Sequence, residues 1–319
     1  MRIAFFAKRH ARSGITLHME RALRALGHDV LAINRRRWER LLGRRLAWAW
    51  LERRLRAFRP EVALVFTFDL PPERLEALRA AGARTATFFD DCPRALDARI
   101  AAAARASDAF FITSRGQIEQ YQRELGVTPA YVTGGCDPTD HFRVPAVPAF
   151  ESDVAFIGTA DERGGRVDVL RALAARYDVK VYGDRWREFG LVPARDDVYP
   201  HQYRQICSSA RVVIGNDLRD DVDLYFSNRT WLSLGCGAFL CTRYVPNLEE
   251  VLTDGEHCAF FRSPEHAVEV VGRYLADAPA RARIAAAGHA YAHANYSYAR
   301  MLERMLGHPA LAPARAPSA

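Results

Sequence analysis

The residues Ser227-Asn228-Arg229-Thr230 stand directly before the run WLSLG, which predicts a helix. Ser227 or Asn228 is suited to the N-cap position, and a capped helix start leaves backbone N–H groups pointing out of the helix. Such N–H groups bind phosphate, and the planar guanidinium of Arg229 adds a two-pronged contact. This segment therefore predicts a phosphate-binding site formed by Asn228, Arg229 and Thr230.

A second candidate phosphate contact lies in the loop after the predicted strand 153–157. Gly158 and Thr159 supply backbone amides there, and Arg163 supplies positive charge, with Arg166 as a further candidate. The loop lacks the GxGxxG pattern, so an ordinary strand-to-helix turn explains the same residues equally well.

Two carboxylates, Asp90 and Asp91, come directly after the apolar run TATFF. A carboxylate at a strand end is suited to accept a proton as a general base. The same pair also fits the N-cap of a helix predicted from Arg94, and an Asp-x-Asp metal site is the weaker interpretation. His10, in the first loop, is an alternative base or a group that orients a substrate, although most loop histidines are solvated.

Strands and helices alternate along the chain and must position these residues. The first half predicts strands at 2–6, 29–33, 62–66, 85–89 and 109–112, with helices at 15–26, 72–81 and 94–106. After a proline-containing linker at 144–150, the second half predicts strands at 153–157, 179–182, 212–214 and 238–242 and a helix at 166–176. This alternation predicts an α/β protein of two Rossmann-like domains that face each other across a cleft.

The predicted domain limits follow from these patterns. A first domain spans 1–146 and a second spans 151–290, and a helix over 291–307 packs back towards the first domain. The tail 308–319 has almost no large apolar residues, which predicts flexibility.

The composition is that of an ordinary globular protein. Apolar residues make up 49% and charged residues 26% of the 319, which excludes a disordered or fibrous chain. The net charge of +7 favours anionic partners in general. Phosphorylated substrates account for this charge, and we do not expect a nucleic acid partner. The six cysteines lack zinc spacing, and the run MRIAFF is too short for a signal peptide or a membrane span. The cytoplasm is the expected compartment.

The segment 34–58 is rich in arginine and contains Trp38, Trp48 and Trp50. A basic amphipathic helix with tryptophans can lie on an anionic membrane, which predicts a peripheral membrane contact and suits a lipid-linked substrate. Alternatively, the arginines form a solvated face while Leu41 and other leucines, Leu51 and Leu55, pack on the sheet. A third possibility is a flap over a bound substrate.

The carboxyl-terminal third contains the stretch SNRTWLSLGCGAFLCTRYVPNLEEVLTDGEHCAFFRSPEHAVEVV and ends in the motif YSYAR. This pattern resembles the CgeB-like (spore maturation protein) glycosyltransferase family, with looser similarity at DVAFIGTADERGG, VYGDRW and FFDDCP. Arg229 matches the arginine of the family pattern and Gly237 the glycine after its helix. Leu232 departs from the pattern, because related enzymes place there a glutamate that binds the donor ribose.

This resemblance implies a GT-B architecture and a metal-independent, hexosyltransferase-like enzyme that moves a sugar from a nucleotide-diphosphate sugar to an unidentified acceptor. The second domain would bind the donor, with a UDP-sugar as the commonest choice and no other cofactor. Tyr199 and Pro200 occupy the position where such domains hold the base, although a surface turn explains them too. The alternative function is a catalytically inactive nucleotide-sugar-binding or scaffold protein, which Leu232 favours. A periplasmic-type binding protein or an epimerase fits less well.

Overall fold

The computed structural model describes residues 1–8 and 14–312, which form two compact units. Unit 1 comprises Met1–Thr133 and the carboxyl-terminal segment from Tyr298, and unit 2 comprises Gly134–Ser297. The chain passes into unit 2 at Gly134, before the prolines of the predicted linker. None of the helices in the described residues is both long and apolar enough to cross a membrane.

The predicted linker segment 144–150 belongs to unit 2. The backbone amides of Val144 and Val147 donate to the hydroxyls of Ser208 and Ser209, at 3.0 and 2.9 Å. Prolines therefore mark an extended stretch that packs on unit 2 rather than the boundary itself.

Unit 1 is built on a parallel sheet with the strand order β2-β1-β3-β4-β5-β6. The strands are β1 (Arg2–Phe6), β2 (Asp29–Ile33), β3 (Val62–Phe66), β4 (Arg84–Phe89), β5 (Ala109–Ile112) and β6 (Ala130–Tyr131). The helices are α1 (Ile15–Ala25), α2 (Arg35–Leu42), α3 (Arg44–Phe58), α4 (Pro72–Ala80), α5 (Ala98–Ala106) and α6 (Ile118–Leu125). The five predicted strands are present, each within one residue of its predicted limits.

Both faces of this sheet are covered, because successive side chains of a strand point to opposite sides. On β1, Ile3 and Phe5 pack in the core that contains Met19 of α1. Ala4 and Phe6 pack in the opposite core. Leu51 and Leu55 of α3 lie in that second core, as one interpretation of the sequence predicted, but Leu41 is 61% exposed.

Segment 34–58 forms two helices, α2 and α3, where one amphipathic helix was expected. Gly43 separates them with φ 73° and ψ 157°, a backbone conformation that only glycine adopts readily. The turn at Gly43 therefore redirects the chain between the helices.

Unit 2 is a parallel sheet with the strand order β11-β10-β9-β7-β8. Its strands are β7 (Ser152–Ile157), β8 (Val179–Tyr182), β9 (Ala210–Gly215), β10 (Leu240–Arg243) and β11 (Ala259–Phe261). Its helices are α7 (Arg166–Ala174), α8 (Pro200–Ser209), α9 (Arg229–Gly235), α10 (Pro264–Ala276) and α11 (Ala278–Asn295). Because β7 and β9 are paired neighbours, the segments that leave their carboxyl ends lie side by side.

The last helix, α12 (Tyr298–Leu306), belongs to unit 1 and packs in the core with β1 and α1. Tyr298 stacks on His18 of α1 with 5.6 Å between ring centroids. Leu311 is also buried in this core, so the start of the predicted flexible tail is packed, contrary to expectation. Residues 313–319 of the predicted tail lie outside the described residues.

Candidate functional site

Arg229, the first residue of α9, lies at the carboxyl end of the unit 2 sheet. Its Nη2 donates to Oδ1 of Asp217 at 3.1 Å and its Nε donates to the Ser227 hydroxyl at 3.1 Å. The Asp217 side chain is 7% exposed, whereas that of Arg229 is 31% exposed. The aspartate therefore fixes the orientation of a guanidinium that solvent or a ligand can still reach.

Arg166, the first residue of α7, is the buried member of the same site. Its guanidinium donates to the carbonyl of Thr159 at 2.6 Å and twice to the carbonyl of Asn216, at 3.1 and 2.9 Å. Burial, and then the nearby positive charge of Arg229, lower the pKa of Arg166 to about 10. Arg166 remains charged at neutral pH and ties together the segments that follow β7 and β9.

Arg166 and Arg229 each carry one positive charge, and Asp217 carries one negative charge. The three side chains together therefore have a net charge of +1. The ring of Phe156 lies beneath both arginines, at 5.2 Å from Arg166 and 5.7 Å from Arg229. An uncompensated positive charge beside an aromatic face, at strand ends, is suited to an anionic group such as a diphosphate.

Gly158, at the end of β7, allows the close approach of these groups. A Cβ atom there would lie 2.5 Å from Nη1 of Arg229. The Gly158 carbonyl accepts a hydrogen bond of 2.8 Å from the indole N–H of Trp186, which is fully buried. The Gly158 N–H donates to the Tyr182 carbonyl at 2.8 Å, so the prediction that this amide is offered to a phosphate was wrong, although Gly158 lies against Arg229.

The start of α9 differs from the predicted phosphate cradle. Asn228 makes no side-chain cap; its amide oxygen accepts from the backbone N–H of Gly135 at 2.6 Å. The Thr230 side chain is buried, and its N–H donates to the Ser227 carbonyl. Asn228 holds the predicted N-cap position, but its side chain does not cap the helix and the Thr230 N–H is not free, so the predicted phosphate cradle is not formed by these two residues.

The loop after β7 divides its predicted residues. The Thr159 carbonyl accepts a hydrogen bond from Arg166, so Thr159 helps to hold that guanidinium in place. Arg163 is turned to Asp161, which accepts from its backbone N–H and from its guanidinium at 2.9 and 2.8 Å. This hydrogen bonding lowers the pKa of Asp161 to about 2. Arg163 is thus already neutralised by Asp161.

The predicted base contact lies at the start of α8. Tyr199 is 42% exposed, and its ring is nearly parallel to that of His201, 6.2 Å away. Pro200 is the first residue of the helix, and Gln202 caps it by accepting from the Tyr199 N–H. Leu232 lies on α9 and is 8% exposed.

In unit 1, Asp90 and Asp91 follow β4 as predicted. The Thr67 hydroxyl donates to Asp90 at 3.2 Å, and Asp91 accepts from the N–H of Cys92. Burial among protein atoms raises the pKa of Asp90, although its carboxylate keeps access to solvent. Neither caps α5, which begins at Ala98 with Asp97 as its cap, so that alternative was wrong. His10 lies outside the described residues.

A cavity of about 180 Å³ lies at the ends of β1 and β2. Polar groups of Thr16, Glu20, Asn34 and Arg37 line it together with the ring of Trp38. Mixed charge beside an aromatic ring suits a hydroxyl-bearing molecule.

The sequence analysis did not predict the role of Asp217, and it named Arg166 only as a further candidate for a phosphate contact. The available signal was the polar pair Asn216-Asp217 directly after the buried run of β9, since strand ends are where polar site residues collect in parallel sheets.

Solved structures define the class of fold. A sucrose-phosphate synthase from Thermosynechococcus elongatus matches with TM-score 0.69 and 13% identity over 95% of this chain and 97% of that one. HepE from Anabaena, in complex with UDP and glucose, matches with TM-score 0.65 and 11% identity over 96% and 98%. A glycosyltransferase from Rickettsia africae matches with TM-score 0.65 and 10% identity over 96% of both chains. The two parallel-sheet domains thus have the GT-B glycosyltransferase fold, as predicted.

One family description matches in addition to the fold. Residues 166–307 match the model of the glycosyl transferase-like family, a range that begins at Arg166 and includes Asp217 and Arg229. No curated protein sequence matches the chain significantly. The narrower resemblance to the CgeB-like family stays a prediction.

Proposed function

We propose that this protein is a glycosyltransferase that takes a sugar from a nucleotide-diphosphate sugar. The observation that carries the proposal is the pair Arg166 and Arg229, held at adjacent strand ends with one excess positive charge. Three structures of Anabaena HepE, which has the same fold, are complexes with UDP, with UDP-glucose, or with UDP and glucose. A UDP-sugar is accordingly the donor we propose for unit 2.

In this proposal Arg229 contacts the diphosphate and Arg166 holds the site in shape. Negative charge grows on the diphosphate as the sugar leaves, and a guanidinium already oriented by Asp217 stabilises that charge without reorganising. Such fixed donors do the electrostatic work that a divalent cation does in other transferases, so we propose transfer without a metal ion.

Tyr199 and Pro200 are the proposed contacts of the nucleotide base. The exposed ring of Tyr199 offers a face for stacking, and Pro200 fixes the helix start beneath it. Leu232 has no polar atom for the ribose, so other groups must hold it.

Asp90 is the proposed general base, with Asp91 beside it and His10 as the alternative. The raised pKa of Asp90 makes its carboxylate a stronger proton acceptor than an ordinary aspartate. The acceptor hydroxyl would bind on unit 1, where the cavity near Glu20 and Trp38 is a candidate subsite.

The experiment compares two salt-bridged arginines on the unit 2 sheet. Arg229→Ala is expected to lower kcat/KM for UDP-sugar hydrolysis or transfer by roughly 100-fold, as loss of one preorganised donor does. Arg211→Ala is the matched control, because Arg211 also pairs with an aspartate, Asp153, at 3.0 Å but lies at the opening of β9. Equal activities of the two variants would reject the role of Arg229. Activity restored only by Mg²⁺ after chelation would reject the metal-free mechanism.

A protein that binds nucleotide sugars without turnover is the second candidate, and Leu232 favours it. Calorimetry with UDP together with a turnover assay over a panel of acceptors separates the two functions. Micromolar binding without hydrolysis or transfer of any donor would establish the second.

A further inference from the structure

The turn between α2 and α3 exposes a small group of leucines. Leu41, Leu42 and Leu46 are 61%, 39% and 67% exposed. They surround Gly43, whose backbone conformation makes the turn. We call these three side chains the leucine tip.

The tip is not required for the core of unit 1. Ala47, Trp48, Leu51 and Leu55 supply the buried face of α3. On α2, Trp38 packs on Trp50 with 4.1 Å between ring centroids, and no residue of α2 is fully buried. The three leucines are therefore exposed apolar surface that belongs to neither of the two cores described above.

Arginines surround the leucine tip. The run RRRWERLLGRRL carries six arginines against one acid, and that acid, Glu39, pairs with Arg35. Arg40, Arg44 and Arg45 are exposed and adjoin the leucines in sequence. Exposed leucines with arginines beside them in the chain fit the surface of a lipid bilayer, which has negatively charged headgroups outside and hydrocarbon beneath.

A cavity beside the tip is suited to a phosphate headgroup. It holds about 260 Å³ and is lined by Arg44, Trp48, Arg74 and Glu73, and Arg74 also pairs with Glu52. The Arg74 guanidinium lies 4.5 Å from the centre of the Trp48 ring, which fixes its position.

We propose that unit 1 binds the surface of an anionic phospholipid bilayer through this turn. The leucine tip enters the boundary between headgroups and acyl chains, Arg40 and Arg45 contact lipid phosphates, and the Arg44–Arg74 cavity takes one headgroup. A nucleic acid would engage the arginines but gain nothing from three exposed leucines. Membrane binding of this kind does not depend on the proposed transfer activity.

The test is co-sedimentation of the full chain with phosphatidylcholine vesicles, with or without phosphatidylglycerol. Binding is expected only to the anionic vesicles and to fall as salt rises. Arg40→Gln/Arg44→Gln/Arg45→Gln is expected to weaken it on the order of 100-fold, at about five-fold for each arginine. Leu41→Ser/Leu46→Ser is expected to weaken it on the order of ten-fold. Both variants change exposed residues, and circular dichroism checks that they fold.

The matched control removes the same charge elsewhere. Arg105→Gln/Arg123→Gln/Arg176→Gln alters three exposed arginines on other parts of the chain and is expected to retain vesicle binding. Equal loss in the control and tip variants would show general charge attraction and overturn the proposal. Absence of binding to anionic vesicles, or binding of the tip to single-stranded RNA alone, would also overturn it.

A depth measurement provides a second, independent result. All six native cysteines are buried, so Leu46→Cys takes a nitrobenzoxadiazole label selectively. Its emission is expected to shift to the blue on anionic vesicles, while the same label at Ala102→Cys, an exposed site on α5, stays unchanged. An unshifted label at position 46 would show that the leucines do not enter the bilayer.

Discussion

Two neighbouring glycines make the geometry of the donor site directly testable. Gly164 and Gly165 have φ of 69° and 65°, so alanine at either position pays the same penalty for a left-handed backbone, about 1 kcal/mol. Their surroundings differ. A Cβ at Gly164 would lie 2.1 Å from the backbone oxygen of Asp217, whereas one at Gly165 would meet only the end of the Arg243 side chain at 3.3 Å.

The expected magnitudes follow from this difference. Gly165→Ala should lower the free energy of unfolding by about 1 kcal/mol, because a flexible guanidinium can move aside. Gly164→Ala should lower it by about 3 kcal/mol, since backbone must shift and overpacking adds about 2 kcal/mol. The shift displaces Asp217, which orients Arg229, so UDP affinity should fall by roughly ten-fold in Gly164→Ala alone.

Urea unfolding followed by circular dichroism, with UDP titration by calorimetry, measures both effects. At a slope of about 2 kcal/mol per molar urea, the midpoints of the two variants should differ by about 1 M. If Gly164→Ala and Gly165→Ala had equal urea midpoints or equal UDP affinities, the contact of the Gly164 turn with Asp217 would not be what supports the site.

Two further predictions concern Asp90 and Trp186. Thr67→Val removes a hydrogen bond that lowers the pKa of Asp90, and Asp91→Asn removes a negative charge that raises it. If Asp90 is the base, the acid limb of the kcat/KM profile moves to higher pH in the first variant and to lower pH in the second; shifts in one direction would contradict the assignment. Trp186→Phe removes the indole N–H that donates to the Gly158 carbonyl at 2.8 Å, and it should lower the free energy of unfolding by about 2 kcal/mol. Urea unfolding measures this change, and an unchanged midpoint would contradict it.

Periodicity predicted the strands of both sheets well, because a buried parallel strand is a short apolar run whatever lies around it. Val62–Phe66 and Val179–Tyr182 have their predicted limits. Helix starts were less accurate: α5 begins at Ala98 rather than Arg94, since the cap is Asp97. The strands β6 and β11 and the division at Gly43 were not predicted, because strands of two and three residues and a single glycine give weak local signals.

Residue chemistry by itself indicated positive charge in the loop after β7 and at the start of α9, but not the role of Asp217 after β9. Arg229 and Gly158 were chosen from sequence and lie together. Their neighbours at Asn228 and Thr230 were assigned to a ligand, yet each bonds to the protein.

The sequence alone determined the α/β class, the alternation of strands and helices, and the strand ends that carry polar residues, because these depend on neighbours a few positions apart. Only the tertiary structure decided which polar groups remain available for a ligand. Arg166 reaches a carbonyl 50 residues away, and Asn228 accepts from an amide 93 residues away. Such contacts depend on how strands pair in space. They commit Arg166 and Asn228 to the protein, while the Arg229 guanidinium remains accessible.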